Sequence, residues 1–108
     1  MASNEFKGVS KINVTTATSV YASPNGETSI LLELDIANTT STAVTASAEL
    51  LDNALGTDAY IVKDAPIPAG GTLQVVSGQK IILESQDSVR VTASGACDVV
   101  CSILENVN

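Results

Sequence analysis

The sequence predicts an all-β fold, an antiparallel β-sandwich of about eight strands connected either as a jelly roll or in immunoglobulin-like order. Three observations predict it. Apolar residues recur at every second position instead of at helical spacing. The alternating segments are short and rich in Val, Ile and Thr, which suit a pleated, half-buried surface. Clusters of Gly, Pro, Asn and Asp separate them at intervals of roughly 8 to 12 residues. With 108 residues, 44% of them apolar and 3% aromatic, the chain has room for one domain whose core is aliphatic.

Residues 1–9 are polar, contain Gly8 and offer Phe6 as an anchor, so they read as a flexible N-terminal arm. Residues 10–108 read as a single β-sandwich domain. The first strand is expected over 11–21, ended by the Pro24-Asn-Gly26 turn. The second is the clearest: Ile30, Leu32, Leu34 and Ile36 alternate with Leu31, Glu33, Asp35 and Ala37, which places the first set in the core and the second outside. The turn-like Asn38-Thr-Thr-Ser41 leads into a third, with Val44, Ala46, Ala48 and Leu50 facing in. Residues 43–55 carry enough Ala and Leu to read as helical, but the β-branched start and strict alternation favour a strand. Further strands are expected over 59–63, 72–76, 80–84, 88–94 and 97–104. Gly56, Pro66-Ile-Pro68-Ala-Gly-Gly71, Ser77-Gly78, Gln86-Asp87 and Gly95 supply the turns between them.

Composition excludes several chemistries. Twelve acidic residues against five basic give a net charge of −7 and a pI near 4.1. Such a chain repels phosphate backbones and anionic lipid, so neither nucleic acid nor a membrane is an expected partner. No His is present, which rules out a Ser-His-Asp triad and leaves two Cys short of an ordinary zinc set. Asp52, Asn53 and Asp58 surround one loop without the spacing of a calcium motif. The pairs Glu33 with Asp35 and Asp87 with Asp98 read as wet strand faces, not as acid/base couples. No catalytic residue, metal site or cofactor is therefore assigned.

Cys97 and Cys101 fall on the same face of one strand, about 13 Å apart at the usual rise, too far for a disulfide, so both are expected as buried thiols. Lys63 and Arg90 are expected at the surface beside carboxylates. The first residues lack the basic and apolar regions of a secretory signal, so folding in the cytosol is expected and the sequons at Asn13 and Asn38 are expected to stay unmodified. The longest apolar run is far short of the roughly 18 residues that cross a bilayer.

One pattern spans residues 20–105. It comprises Val20-Tyr21-Ala-Ser-Pro24-Asn-Gly-Glu-Thr, the aliphatic strand ending Ile36-Ala-Asn38, and Tyr60-Ile-Val-Lys-Asp-Ala-Pro-Ile-Pro-Ala-Gly-Gly-Thr-Leu73. Gly78-Gln-Lys-Ile-Ile-Leu-Glu84, Asp87-Ser-Val-Arg-Val-Thr-Ala93 and a closing strand from Asp98 to Glu105 follow. In turns and strand order this resembles the small β-sandwich virion structural proteins of tailed bacteriophages. The resemblance implies a non-enzymatic particle component, foremost a capsid decoration or cement protein. Its partners would be the major capsid protein or other virion proteins, its own state a homo-oligomer, foremost a trimer, and its place the virion assembled in the bacterial cytoplasm. A neck or tail component and a glycan- or receptor-binding module are the alternatives. Subunit contacts are expected at Phe6 and at the outward aliphatics Leu31, Leu51, Val76 and Val100.

Overall fold

A computed structural model describes residues 4–107. Eight strands are present among them: β1 (Glu5–Val14), β2 (Thr18–Ala22), β3 (Ser29–Asn38), β4 (Val44–Asp52), β5 (Thr57–Ile67), β6 (Thr72–Leu83), β7 (Ser88–Ala93) and β8 (Cys97–Glu105). They form two four-stranded sheets, ordered β1-β8-β3-β6 (sheet A) and β2-β7-β4-β5 (sheet B). Every pairing is antiparallel, and β1 meets β8, β2 meets β7, β3 meets β6 and β4 meets β5. These are the pairings of one long antiparallel ribbon, its first four strands opposite its last four, folded over into a sandwich. That is a jelly roll. An immunoglobulin-like order, in which the first two strands are neighbours in one sheet, is excluded, because β1 and β2 lie in different sheets.

The core is aliphatic, as its composition requires. Leu31, Leu34, Ile36, Val76, Leu83, Val99 and Ile103 of sheet A close against Val20, Ala46, Ala48, Ile67, Val89 and Val91 of sheet B. The strand over 44–50 packs as its alternation predicts, with Val44, Ala46 and Ala48 buried and Leu50 against the core. Cys97 and Cys101 are both buried free thiols, and burial raises the affinity of each for its proton, with Cys101 pushed up to about 11.

Four expectations are corrected. Residues 5–9 are not an arm: they are the first half of β1, paired through Glu5–Glu105, Lys7–Ile103 and Val9–Cys101. Residues 1–3 of that arm, and Asn108 of the domain, lie outside the described residues. The strand expected over 11–21 is two strands, because the chain turns at Thr15-Thr16-Ala17, where the Thr18 hydroxyl donates to the Thr16 carbonyl at 2.7 Å. The strands expected over 72–76 and 80–84 are one, β6, in which Gly78 (φ +104°) sits in a bulge where a turn was expected. Gln79 patches that bulge, its Oε1 accepting from the Ser77 N–H at 2.8 Å.

The last correction concerns phase. In β3, Leu31 pairs with Ile103 and Glu33 with Ser102, so Leu32 is one residue too many for its neighbour. A slip of one residue exchanges the faces of a strand. Leu31 is therefore fully buried with Leu34 and Ile36, whereas Ile30 and Leu32 are only half-buried. A second shift, between Leu34–Val76 and Asp35–Gln74, makes Val75 the extra residue of β6 and turns Val76 inward opposite Leu34. Leu31 and Val76 are core residues and not subunit contacts.

The edges are blunted. All four lysines lie on edge strands: Lys7 and Lys11 on β1, Lys63 on β5 and Lys80 on β6. Edge strand β2 has five residues. In β5, Asp64 (φ +48°) forms a bulge whose N–H donates to Ser47 Oγ at 2.9 Å, and Pro66 removes a donor. Edge lysines, bulges, prolines and short strands all oppose strand addition by another chain.

Candidate functional site

The outer face of sheet A is read from its register. Phe6 pairs with Leu104, Leu104 with Ile30 and Ile30 with Ile82, so four large apolar residues form one row across all four strands. Phe6 is 75% exposed and Ile82 is 55% exposed, with Leu104 and Ile30 half-buried between them. The next row is Gly8, Ser102, Glu33 and Ser77, and the one beyond is Ser10, Val100, Asp35 and Gln74. Val100 is 52% exposed there. Asp98, Ala37 and Thr72 continue the face.

Three carboxylates lie on this face, and among the described residues none of Glu33, Asp35 and Asp98 takes part in an ion pair. Asp98 accepts from the Asn13 N–H at 3.2 Å. Asp35 Oδ1 is shielded from water and finds no donor among the described residues. Burial, then a hydrogen bond to Glu33 and its negative charge, push the Asp35 carboxyl up to about 6. When Asp35 carries that proton, it is the donor the pair otherwise lacks.

A polar cluster joins the two sheets next to the apolar row. Tyr21 of β2 donates its hydroxyl to Glu105 Oε2 of β8, and Lys7 of β1 approaches Glu105 Oε1 at 2.8 Å. Ser29 Oγ lies 3.1 Å from the Tyr21 hydroxyl and 3.0 Å from Ser23 Oγ, which donates to the Glu27 carbonyl at 3.1 Å. The hydrogen bonds from Lys7 and Tyr21 hold Glu105 below its usual range, and the bond to Glu105 raises Lys7. Burial, with the hydrogen bond to Glu105, pushes Tyr21 up to about 12. Tyr21 is thus a neutral phenol at physiological pH, a strut and not a nucleophile. Sequence reasoning missed this cluster because Tyr21 and Glu105 are separated by 84 residues along the chain and Lys7 lies further still from Glu105.

The outer face of sheet B differs. Its row is Ser19, Arg90, Glu49 and Tyr60. Arg90 Nη2 reaches Glu49 Oε2 at 3.2 Å and Asp58 Oδ2 at 3.3 Å, and Lys63 Nζ sits 5.3 Å from the centre of the Tyr60 ring. The carboxylates expected beside Arg90 are there, whereas among the described residues Lys63, like Lys11 and Lys80, forms no ion pair. Leu51 is half-buried on this face, paired with Ser88 and Asp58.

The expected contact residues therefore do not form one patch. Phe6 and Val100 share the outer face of sheet A, Leu51 lies on sheet B, and Leu31 and Val76 are internal. Ile82, Ile30 and Leu104 were missed, since only the register sets them beside Phe6. The remaining polar candidates have structural work. Asp87 is buried, accepting from the Asn53 and Glu84 N–H groups at 2.9 Å each. Asp52 caps its turn by accepting from Leu55 N–H at 3.0 Å, and Asp58 faces Arg90. Among the described residues no group of three or more carboxylates or thiols is placed to hold a metal ion. Asn38, a sequon residue, is buried, and its Nδ2 donates to the Thr42 and Ile67 carbonyls at 2.8 and 3.1 Å, which closes it to glycosylation in the folded chain.

No protein-family model matches the chain, and no curated protein matches it. Among solved structures, a chain from Bacillus endospore appendages, described as a family of disulfide-linked pili, is similar to it. The alignment covers 96% of this chain and 87% of that one, at 15% identity and a TM-score of 0.46. A likeness at that level assigns this chain to no family. What the coordinates define is an all-β jelly roll whose two outer faces differ in character.

Proposed function

We propose that this chain is a non-enzymatic structural subunit that binds a larger protein particle through the outer face of sheet A, as a decoration or cement protein on a phage capsid shell. The observation that carries the reading is the row Phe6, Leu104, Ile30 and Ile82, an apolar ridge crossing a whole sheet with both ends exposed. Covering such a ridge removes apolar surface from water at roughly 25 cal/mol per Å², which favours association over a wide flat contact. The sequence resemblance to small phage virion sandwiches supplies the particle. The blunted edges favour docking by a face over polymerisation by strand addition.

The test is occupancy. Wild-type chain added to heads that lack it is expected to bind in hundreds of copies and to raise their heat resistance, and the double variant F6S/I82S is expected to fold and to stay in solution. Heads that take up the variant as well as wild type would refute the contact face. A dozen copies or fewer confined to one vertex would move the protein to the neck or tail. Light scattering of the purified chain is expected to give a trimer, closed through surfaces other than the sheet A row and so unchanged in F6S/I82S.

A further inference from the structure

We infer that the partner surface received by sheet A is cationic as well as apolar, a Lys- or Arg-bordered hydrophobic ridge on a different protein and not a second copy of this chain. The inference rests on the contact-face reading above and adds the chemistry of the occupant. Glu33 lies in the row adjoining Phe6, Leu104, Ile30 and Ile82, and Asp35 lies one row further on. Among the described residues neither forms an ion pair, although sheet B pairs Glu49 and Asp58 with Arg90. The lysines are on the edge strands β1, β5 and β6, and Lys7 is committed to Glu105 and Glu5.

The face thus presents an apolar ridge beside unneutralised negative charge. A second copy laid ridge to ridge on it brings a second acidic flank, with the edge-strand Lys11 and Lys80 making no ion pair with Glu33 or Asp35 among the described residues, and like charges brought together as water is removed oppose association. A partner with Lys or Arg beside an apolar ridge covers the row and neutralises the flank in one contact. The charge state of the flank then enters. Asp35 faces Glu33 on its own strand, Val100 from β8 and Gln74 from β6, and its charge is felt through the sheet by the buried Cys101 thiol. Asp35 adds its charge to the flank only above the range in which it takes up its proton, so a cationic partner is held better at pH 7.5 than at pH 5.

The test titrates the isotopically labelled full chain, followed by NMR, with two hexapeptides, one alternating leucine and lysine and the other leucine and glutamate. The leucine–lysine peptide is expected to move the resonances of Phe6, Ile30, Glu33, Asp35 and Ile82. Its affinity is expected to fall at least threefold in E33Q/D35N and again from pH 7.5 to pH 5, with the leucine–glutamate peptide leaving the face unmoved. Equal binding of both peptides, shifts spread over every acidic patch, or an unchanged affinity in E33Q/D35N would overturn the cationic partner. Self-association in light scattering that disappears in F6S/I82S would overturn it too, by making the second copy the occupant. Each of these results leaves the contact face standing, which falls only if F6S/I82S still occupies heads.

Discussion

The two sheets are equal in strand number and alike in their inner faces, and they part company outside. Sheet B turns Ser, Thr, Tyr60 and largely paired charge to solvent, with Arg90 shared between Glu49 and Asp58. Sheet A shows an uninterrupted apolar row and, among the described residues, carboxylates that form no ion pair. A face that has to remain wet gains from balancing its own charges. A face that meets a partner leaves them for the partner to balance. The contrast teaches that the useful signal lies in how apolar and charged residues align across strands, and that total charge and composition do not reveal it.

The largest expected effect separates the inside of sheet A from its outside. Leu31→Ala empties a fully buried site, and the expected loss of stability is about 2–5 kcal/mol in urea unfolding. Phe6→Ser, on the exposed row, is expected to stay within about 0.5 kcal/mol in the isolated chain. Both residues look like surface contacts in the sequence, so comparable losses would mean that the outer row is held by the fold and not reserved for a partner.

That confusion shows what was legible. The fold class, the aliphatic core, the inward set of β4 and the two buried thiols follow from period-two alternation and from cysteine geometry on a strand, both local properties. The strand number also came out at eight, but through two opposite errors, since 11–21 splits and 72–84 fuses. The split is invisible because Thr15-Thr16-Ala17 contains no Gly or Pro. The fusion is missed because Gly78 serves a bulge as readily as a turn. Of the proposed contact face only Phe6 and Val100 were legible. The bulges at Leu32 and Val75 reverse the phase of their strands, and a bulge is specified by the partner strand, not by the residues within it.

The next effect tests what holds the exposed row in place. Tyr21 and Lys7 converge on Glu105, tying β2 to β8 and β1 close to Phe6. Tyr21→Phe is expected to cost about 1–3 kcal/mol, because it leaves a largely buried carboxylate oxygen short of a donor, and to speed amide exchange in β1 more than in β7. Tyr21 keeps its proton to about pH 12 in the folded chain and to about 10 unfolded, and Lys7 is shifted in the same direction. Both contributions are complete below pH 10 and are lost as pH rises through the folded values. Thermal unfolding across pH 9–12 should show wild type losing stability more steeply than Tyr21→Phe.

On sheet B the expected change is smaller. Arg90→Ala removes a partly exposed pair of bridges, with a loss of about 0–1 kcal/mol that shrinks in high salt. A loss well above that range would make the outer face of sheet B a structural element of the fold and would weaken its contrast with sheet A.

The smallest effect has the opposite sign and bears most directly on the contrast. Asp35 holds its proton more tightly in the folded chain, to about pH 6, than its ordinary value of 3.8 allows. The folded state therefore binds more protons than the unfolded state between those values, and stability falls as pH rises from about 4 through about 6. Asp35→Asn removes that dependence without removing side-chain volume. The variant is expected to match wild type near pH 3.5 and to exceed it above pH 6.5, by less than the full linkage value because the side chain is only half-buried and solvent screens it. Urea midpoints at the two pH values check it, since a common error in extrapolation cancels in the difference between them. A carboxylate whose loss stabilises the isolated chain is one the isolated chain does not need. An Asp35→Asn variant less stable than wild type at pH 7 would instead give the carboxylate an internal role and remove the acidic flank from the contact.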